Sequence, residues 1–159
     1  MQVFDASSMI YAWDNYPLQQ FPGLWEWMTG QIDEGELKMP SVAMEEVTRK
    51  IPECGKWLKD RNLQLLNMTN AILQDAVRIK GLLGVVGDKY GEGVGENDLF
   101  IVATARVHHA ELVTDESWQP NLPKNILKYK ITAVCDMDAV AVGWINFLDY
   151  IKRSNAVFR

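Results

Sequence analysis

Acidic residues follow apolar stretches of this chain at points where a parallel α/β sheet would bring them together. Asp5 ends the first apolar stretch, and Asp115 and Glu116 close a later one. Glu46 and Asp98 lie in apolar segments between these two stretches. In open α/β sheets, ligands bind outside the carboxyl ends of the strands, so an acid just after a strand is placed for chemistry. The pattern predicts one acidic site at one edge of a sheet.

Carboxylates gathered in this way repel one another unless a cation neutralises them. Mg²⁺ and Mn²⁺ take oxygen ligands of this type. The sequence therefore predicts a metal-dependent enzyme that acts on phosphates.

The two cysteines, Cys54 and Cys135, form no C-x-x-C pair, and we expect both to be buried thiols.

Helical geometry distinguishes Glu46 from its neighbour Glu45. We expect a helix over residues 40–51, because Pro40 is favoured in a first helical turn. At about 100° per residue, Glu46 lies on the same side as Ala43, whereas Glu45 points nearly opposite. An acid on an apolar face is costly unless it is paired or bound to a metal. We therefore predict that Glu46 faces the site and that Glu45 faces solvent.

Asp98 precedes a run, residues 99–105, that is apolar on nearly every side and is typical of a buried helix. It lies in the first turn, where the helix dipole stabilises an anion. A capping role is the alternative to a ligand role, but Asn97 could cap the helix instead. We favour Asp98 as a ligand. At the later strand end, spacing alone does not choose between Asp115 and Glu116.

Length and composition are typical of a single globular domain over residues 1–159, with 48% hydrophobic residues. No uncharged run approaches the roughly 18–20 residues of a membrane span, and no basic segment followed by a long apolar one begins the chain. We expect a cytoplasmic protein with no membrane partner. The net charge of −5 speaks against binding nucleic acid through a broad basic face, but it does not exclude a nuclease.

The C-terminal third is too apolar for an ordinary surface helix. We expect one helix there, after the last strand, carrying Ala139, Val140, Val142, Gly143, Ile145, Asn146, Phe147 and Ile151. Such a helix packs on the sheet or leaves apolar surface for association. This predicts a homo-oligomer or a tight protein partner.

Two further features concern the loops. The glycine-rich segment 91–95 lacks the lysine and hydroxyl of a P-loop, so we expect a flexible connection to the helix of Asp98. Trp13 and Trp118 lie near acid-bearing loops, where an indole could stack on a nucleotide base. Packing inside the protein is the alternative for both.

Taken in order, these segments resemble the acidic motifs of PIN-domain ribonucleases, including the VapC-type toxins. The similar segments are Val3-Phe4-Asp5-Ala6-Ser7-Ser8, residues 40–47, Asn97-Asp98 with residues 101–105, and Leu112-Val113-Thr114-Asp115-Glu116. Residues 16–25 and 130–135 also resemble an uncharacterised bacterial branch of that superfamily. The resemblance spans most of the chain.

The resemblance implies a three-layer α/β/α PIN-like sandwich with a central, mainly parallel sheet and a Mg²⁺ or Mn²⁺ site. It also implies an endoribonuclease that hydrolyses RNA phosphodiester bonds, commonly as the toxin of a toxin–antitoxin pair, with RNA and a protein antitoxin as partners. By position, the implied core acids are Asp5, Glu46 and Asp98, the fourth is Glu116 with Asp115 beside it, and the supporting polar residues are Ser7 and Thr114.

Two other classes stay open. A metal-dependent phosphatase of another α/β class would also use an Asp after the first strand. Haloacid-dehalogenase enzymes, however, place a second Asp two residues later, where this chain has Ser7. A non-catalytic PIN-like module that binds RNA or protein would keep the fold and lose the acids. All the expected positions are acidic here, which favours the enzyme.

Overall fold

The computed structural model describes residues 1–159 and contains one five-stranded parallel sheet flanked by helices. The strands are β1 (Gln2–Phe4), β2 (Leu37–Pro40), β3 (Leu65–Leu66), β4 (Glu111–Val113) and β5 (Trp144–Ile145). Their order across the sheet is β3-β2-β1-β4-β5, and every pair is parallel. The expected α/β fold with a central parallel sheet is confirmed.

Eight α-helices and one short 3-10 helix connect the strands. The α-helices are α1 (Ala6–Asn15), α2 (Pro22–Asp33), α3 (Ser41–Lys50), α4 (Pro52–Asp60), α5 (Asn70–Leu82), α6 (Glu96–Val107), α7 (Ile131–Asp136) and α8 (Phe147–Ser154), and the 3-10 helix is Ile126–Lys128. None of them combines the length and the apolar composition that crossing a membrane requires.

The strand order reverses direction at β1, because the chain adds β2 and β3 on one side and β4 and β5 on the other. Phe4 of β1 is in register with Val113 of β4. The residues that follow these two strands, Asp5 and Thr114, therefore lie side by side at the carboxyl edge of the sheet. In open α/β sheets, this topological switch point is where ligands bind.

The two central strands lie inside the hydrophobic core. Val3, Phe4, Leu112 and Val113 have no exposed surface, and they belong to a cluster of 35 buried residues. Phe4 also packs edge-on against Tyr150 of α8, with ring centroids 5.2 Å apart. A sheet buried in this way gives the residues at its edge a rigid foundation.

Both cysteines are buried free thiols, as predicted.

The region before Glu46 differs from the prediction. Residues 37–40 form strand β2, and helix α3 begins at Ser41 rather than at Pro40. Pro40 closes the strand, paired with Leu66 of β3. The φ of −59° at Pro40 is the angle that the proline ring imposes, so proline fits this position.

The prediction of one apolar helix in the C-terminal third is wrong. Residues 144–145 form the edge strand β5, and α8 begins only at Phe147. The apolar residues pack in different ways: Val140, Val142 and Phe147 are buried, whereas Ala139, Ala141 and Gly143 are exposed in turns. The expectation of self-association through such a helix therefore loses its structural basis.

The glycine-rich segment 91–95 is packed closely against another loop, in contrast to the flexible connection that we expected. The Gly93 N–H donates to the Leu127 carbonyl at 3.0 Å, and the Val94 N–H donates to the Tyr129 carbonyl at 2.9 Å. A Cβ at Gly93 would lie 2.1 Å from the Tyr129 carbonyl oxygen. The glycine allows this close approach of two backbones.

Gly93→Ala is therefore expected to destabilise the protein by about 3 kcal/mol, because the clashing atom belongs to the backbone and cannot turn away. Gly81→Ala in α5 is the matched control. No atom lies within 4 Å of a Cβ built there, so alanine should stabilise the helix by about 0.5–1 kcal/mol. Urea unfolding of both variants measures the difference. Equal stabilities would contradict the packing of the two loops.

Candidate active site

Asp5 is the most buried acid of the predicted site, with only 2% of its surface exposed. Its carboxylate accepts hydrogen bonds from the Ser8 N–H at 2.8 Å, from the Ser7 hydroxyl at 2.8 Å and from the Thr114 hydroxyl at 2.5 Å. The bond from Ser8 also caps the start of α1. These donors come from α1 and from the residue that follows β4, so the fold orients this carboxylate from two sides.

Burial raises the pKa of Asp5 from 3.8 to about 7. The hydrogen bonds from Thr114, Ser8 and Ser7 act in the opposite direction, because they stabilise the charged form, but burial outweighs them. No neighbouring acid contributes to this shift. The site thus contains a carboxyl group that titrates near neutral pH.

Ser7 and Thr114 connect Asp5 to the segment after β4. The Asp115 N–H donates to the Ser7 hydroxyl at 3.0 Å, and the Glu116 N–H donates to the Thr114 hydroxyl at 3.2 Å. Each hydroxyl therefore accepts from this segment while it donates to Asp5. The supporting positions implied by the family resemblance have the contacts that such a role requires.

Asp98 lies in the first turn of α6, half-buried, and its carboxylate accepts from the Gly95 N–H at 2.9 Å. It therefore caps the helix itself, a role for which Asn97 was the other candidate. Burial is the largest cause that raises the pKa of Asp98 above its usual value, and the charges of Glu116 and Glu46 raise it further. These three carboxylates therefore form one electrostatic group.

The two glutamates of α3 differ as the helical geometry predicts. Glu45 is exposed, whereas the Glu46 side chain is 29% exposed and its charge acts on Asp98. Lys50, one helical turn later, lies 3.4 Å from the Glu46 carboxylate. An ion pair this exposed to solvent contributes little stability, so Lys50 leaves Glu46 available to the site.

The structure also distinguishes Asp115 from Glu116. The Asp115 carboxylate accepts from the Phe147 N–H at 3.3 Å, so it is turned towards the start of α8. Burial raises the pKa of Asp115 to about 6, and this hydrogen bond opposes the shift. The charge of Glu116 raises the pKa of Asp98, whereas the charge of Asp115 does not. The geometry favours Glu116 as the fourth acid.

A family model described as a domain of unknown function, DUF4411, matches residues 2–158. The chain belongs to the DUF4411 family. No curated protein matches the sequence significantly.

Solved structures share the fold of this DUF4411 chain. One match is the crystal structure of VapBC2 from Rickettsia felis bound to a DNA fragment from their promoter, with a TM-score of 0.51. The match covers 91% of this chain and 97% of that chain at 14% sequence identity. At this identity, the similarity shows a common PIN-like fold and nothing finer.

The acids of the DUF4411 chain suit a hard divalent cation by ligand type but do not form a closed cage. No group of three or more His, Cys, Asp or Glu side chains is arranged to hold a metal ion. The repulsion that Glu116 and Glu46 exert on Asp98 is what a cation would relieve.

Sequence reasoning overlooked one residue beside the acids. Lys130 is the cation whose charge lowers the pKa of Asp98, against the larger effects of burial and of Glu116 and Glu46. It lies more than thirty residues from Asp98 in the sequence, in a segment without a periodic pattern, so no local signal identified it.

Trp13, which we considered for base stacking, packs against Trp25 with ring centroids 5.4 Å apart.

Proposed function

We propose that this protein is a metal-dependent endoribonuclease that hydrolyses RNA phosphodiester bonds. The observation that carries the proposal is that Asp98, Glu46 and Glu116 form one electrostatic group near the carboxyl edge of the sheet, the edge at which Asp5 lies. There, the charges of two of these acids raise the pKa of a third. Perturbed carboxyl groups at the ligand-binding edge of a sheet are typical of catalytic sites.

Each acid has a distinct role in the proposed mechanism. Asp5 and Asp98 would hold Mg²⁺ or Mn²⁺ directly, because their backbones follow β1 and open α6 at the same edge. Glu46 and Glu116 would orient water or complete the ligand set. Such a metal supplies positive charge that lowers the pKa of water and offsets the charge that develops on the phosphate oxygens.

Ser7 and Thr114 act through Asp5. Their hydroxyls donate to its carboxylate, which favours the charged form and fixes the orientation of the carboxylate. Because the same hydroxyls accept N–H groups of Asp115 and Glu116, a substitution at either position would disturb both strand ends. They are positioning residues in this proposal.

The role of a toxin that is silenced by an antitoxin in the bacterial cytoplasm belongs to the same proposal. It is supported by the similarity in fold to VapBC2, which was crystallised with a fragment of promoter DNA. A protein partner would present a cation to the acidic edge, where Asp98, Glu46 and Glu116 bring three negative charges together.

A second candidate is a PIN-like module that binds RNA or protein without cleaving RNA. The observation that favours it is the lack of three acids arranged to hold a metal. The two candidates differ in one measurable property, since only the enzyme requires a divalent cation for an effect on RNA.

We expect the purified protein to cleave single-stranded RNA with Mg²⁺ or Mn²⁺ and to leave it intact with EDTA. Glu46→Gln should reduce the rate about 10- to 100-fold, because an acid that orients a metal site is lost. Glu45→Gln, one residue away and exposed, should stay within twofold of the wild type. Gel assays of labelled RNA give both rates. Equal effects of the two substitutions would contradict the site, and no metal-dependent cleavage would favour the binding module.

A further inference from the structure

Residues 126–130 lie between the two loops that carry the acids. On one side they bind the glycine segment that leads to Asp98, through the bonds from Gly93 and Val94. On the other side they bind the segment after Glu116. There, the Lys130 N–H donates to the Gln119 side chain at 2.8 Å, and that side chain donates to the Lys128 carbonyl at 3.2 Å.

Lys130 has a fixed backbone and forms no ion pair. Its N–H is bound to Gln119, and its carbonyl accepts the Val134 N–H at 3.0 Å. The residue is half-buried, and no carboxylate lies within 4.0 Å of its ammonium group. A half-buried cation beside an acidic site, without an ion-pair partner, is placed to receive an anion from outside.

Trp118 is held on the same pair of segments. Its neighbour Ser117 accepts a hydrogen bond from the Thr132 hydroxyl at 2.9 Å, and its other neighbour is Gln119. The backbone is therefore fixed on both sides, while the indole is 65% exposed. An exposed aromatic ring on a fixed backbone loses little conformational entropy when a base stacks on it.

The surroundings of Trp118 decide which part of a nucleotide it can take. It lines a cavity of about 600 Å³ together with Asp115, Glu116, Asp136 and Asp149. These carboxylates repel a phosphate but not an uncharged base. A nucleotide would therefore direct its base towards Trp118 and its phosphate towards Lys130.

We propose that Lys130 and Trp118 form a platform for single-stranded RNA, on which Lys130 contacts a backbone phosphate and Trp118 stacks on an unpaired base. The proposal rests on the proposed ribonuclease function and names the two residues that would bind its substrate. A duplex does not fit the platform, because its bases are already stacked on one another and cannot reach an indole.

The first test measures the contact with phosphate. Binding of a labelled single-stranded RNA is followed by fluorescence anisotropy in EDTA over a series of salt concentrations. Lys130→Gln should reduce the slope of log K against log salt by about 0.7, the contribution of one phosphate on a single strand. Lys124→Gln, on the same loop and exposed, is the control and should leave the slope unchanged. A residue that only screens Asp98 would not alter this slope.

The second test measures stacking. Trp118→Ala should weaken binding of single-stranded RNA about 5- to 150-fold, the range that base–aromatic stacking supplies, without altering the salt slope. Binding of duplex RNA should not change. Leu122→Ala, also exposed on this loop, is the control for general loss of apolar surface.

The outcomes separate this platform from the nuclease. RNA that binds with these dependences but is not cut would support the platform and refute the enzyme. RNA that is cut, with unchanged slope and affinity in the two variants, would refute the platform alone. If single-stranded RNA does not bind, both ideas are wrong, and Trp118 would be left as a contact for a protein.

Discussion

Asp98→Asn is expected to reduce RNA cleavage at least about 10²- to 10³-fold, the loss that follows when a preorganised electrostatic group is removed from an active site. The fold should survive. An asparagine oxygen can still accept from the Gly95 N–H and cap α6. The substitution also removes a carboxylate whose pKa is raised by burial and by the charges of Glu116 and Glu46. Metal-free stability should therefore stay the same or rise.

Cleavage rates and urea unfolding test the two halves of this prediction. Asn97→Ala is the matched control, because Asn97 is exposed and precedes Asp98 in the same helical turn. We expect wild-type cleavage from that variant. An Asp98→Asn protein that is folded and cleaves RNA normally would remove Asp98 from the site, whatever the activity of the other variants.

Without metal, the protein is expected to lose stability as the pH rises, and Asp5 is the main cause. Burial raises the pKa of its carboxyl in the folded state to about 7 from the ordinary value of 3.8. Between these two values the folded protein holds a proton that the unfolded chain has released, so the free energy of unfolding falls with rising pH. The contribution is fully present below pH 3.8 and lost above about pH 7.

At about 1.4 kcal/mol per pKa unit, the loss from Asp5 alone is of the order of 4 kcal/mol. Urea unfolding in EDTA between about pH 4 and pH 8 measures it. Asp5→Asn should flatten the curve by this amount, while Asp98 and Asp115, whose pKa values are also raised, leave a smaller residual slope. Parallel curves for the two proteins would show that Asp5 is charged throughout.

The reason for the shift at Asp5 differs from the one that the sequence suggests. Clustered acids predict mutual repulsion, which is one cause of the shift at Asp98. At Asp5 no acid contributes, and burial in the sheet edge acts alone against the hydrogen bonds from Thr114, Ser8 and Ser7. Burial depends on residues distant in sequence, such as Thr114 and Val113 of the neighbouring strand, so it cannot be deduced from the motif around Asp5.

The sequence by itself determined the features that repeat locally or follow a strand. The helix phase that separates Glu46 from Glu45 and the place of Asp98 in a first helical turn follow from the spacing of apolar residues over one or two turns. The parallel α/β class was expected from the acids that follow apolar stretches and from the family resemblance. The same information was insufficient for β2 and β5. Both strands are short, and a run such as residues 37–40 or 144–145 becomes a strand only when a neighbour supplies its hydrogen bonds.

Only the tertiary structure decided which groups meet. The orientation of Asp115 depends on α8, whose Phe147 N–H donates to the Asp115 carboxylate, and no spacing near Asp115 reveals that contact. The place of Lys130 beside Asp98 depends on the close packing of Gly93 against the 127–129 backbone. Contacts between residues distant in sequence arise from the packing of whole elements, and a local pattern contains no information about them.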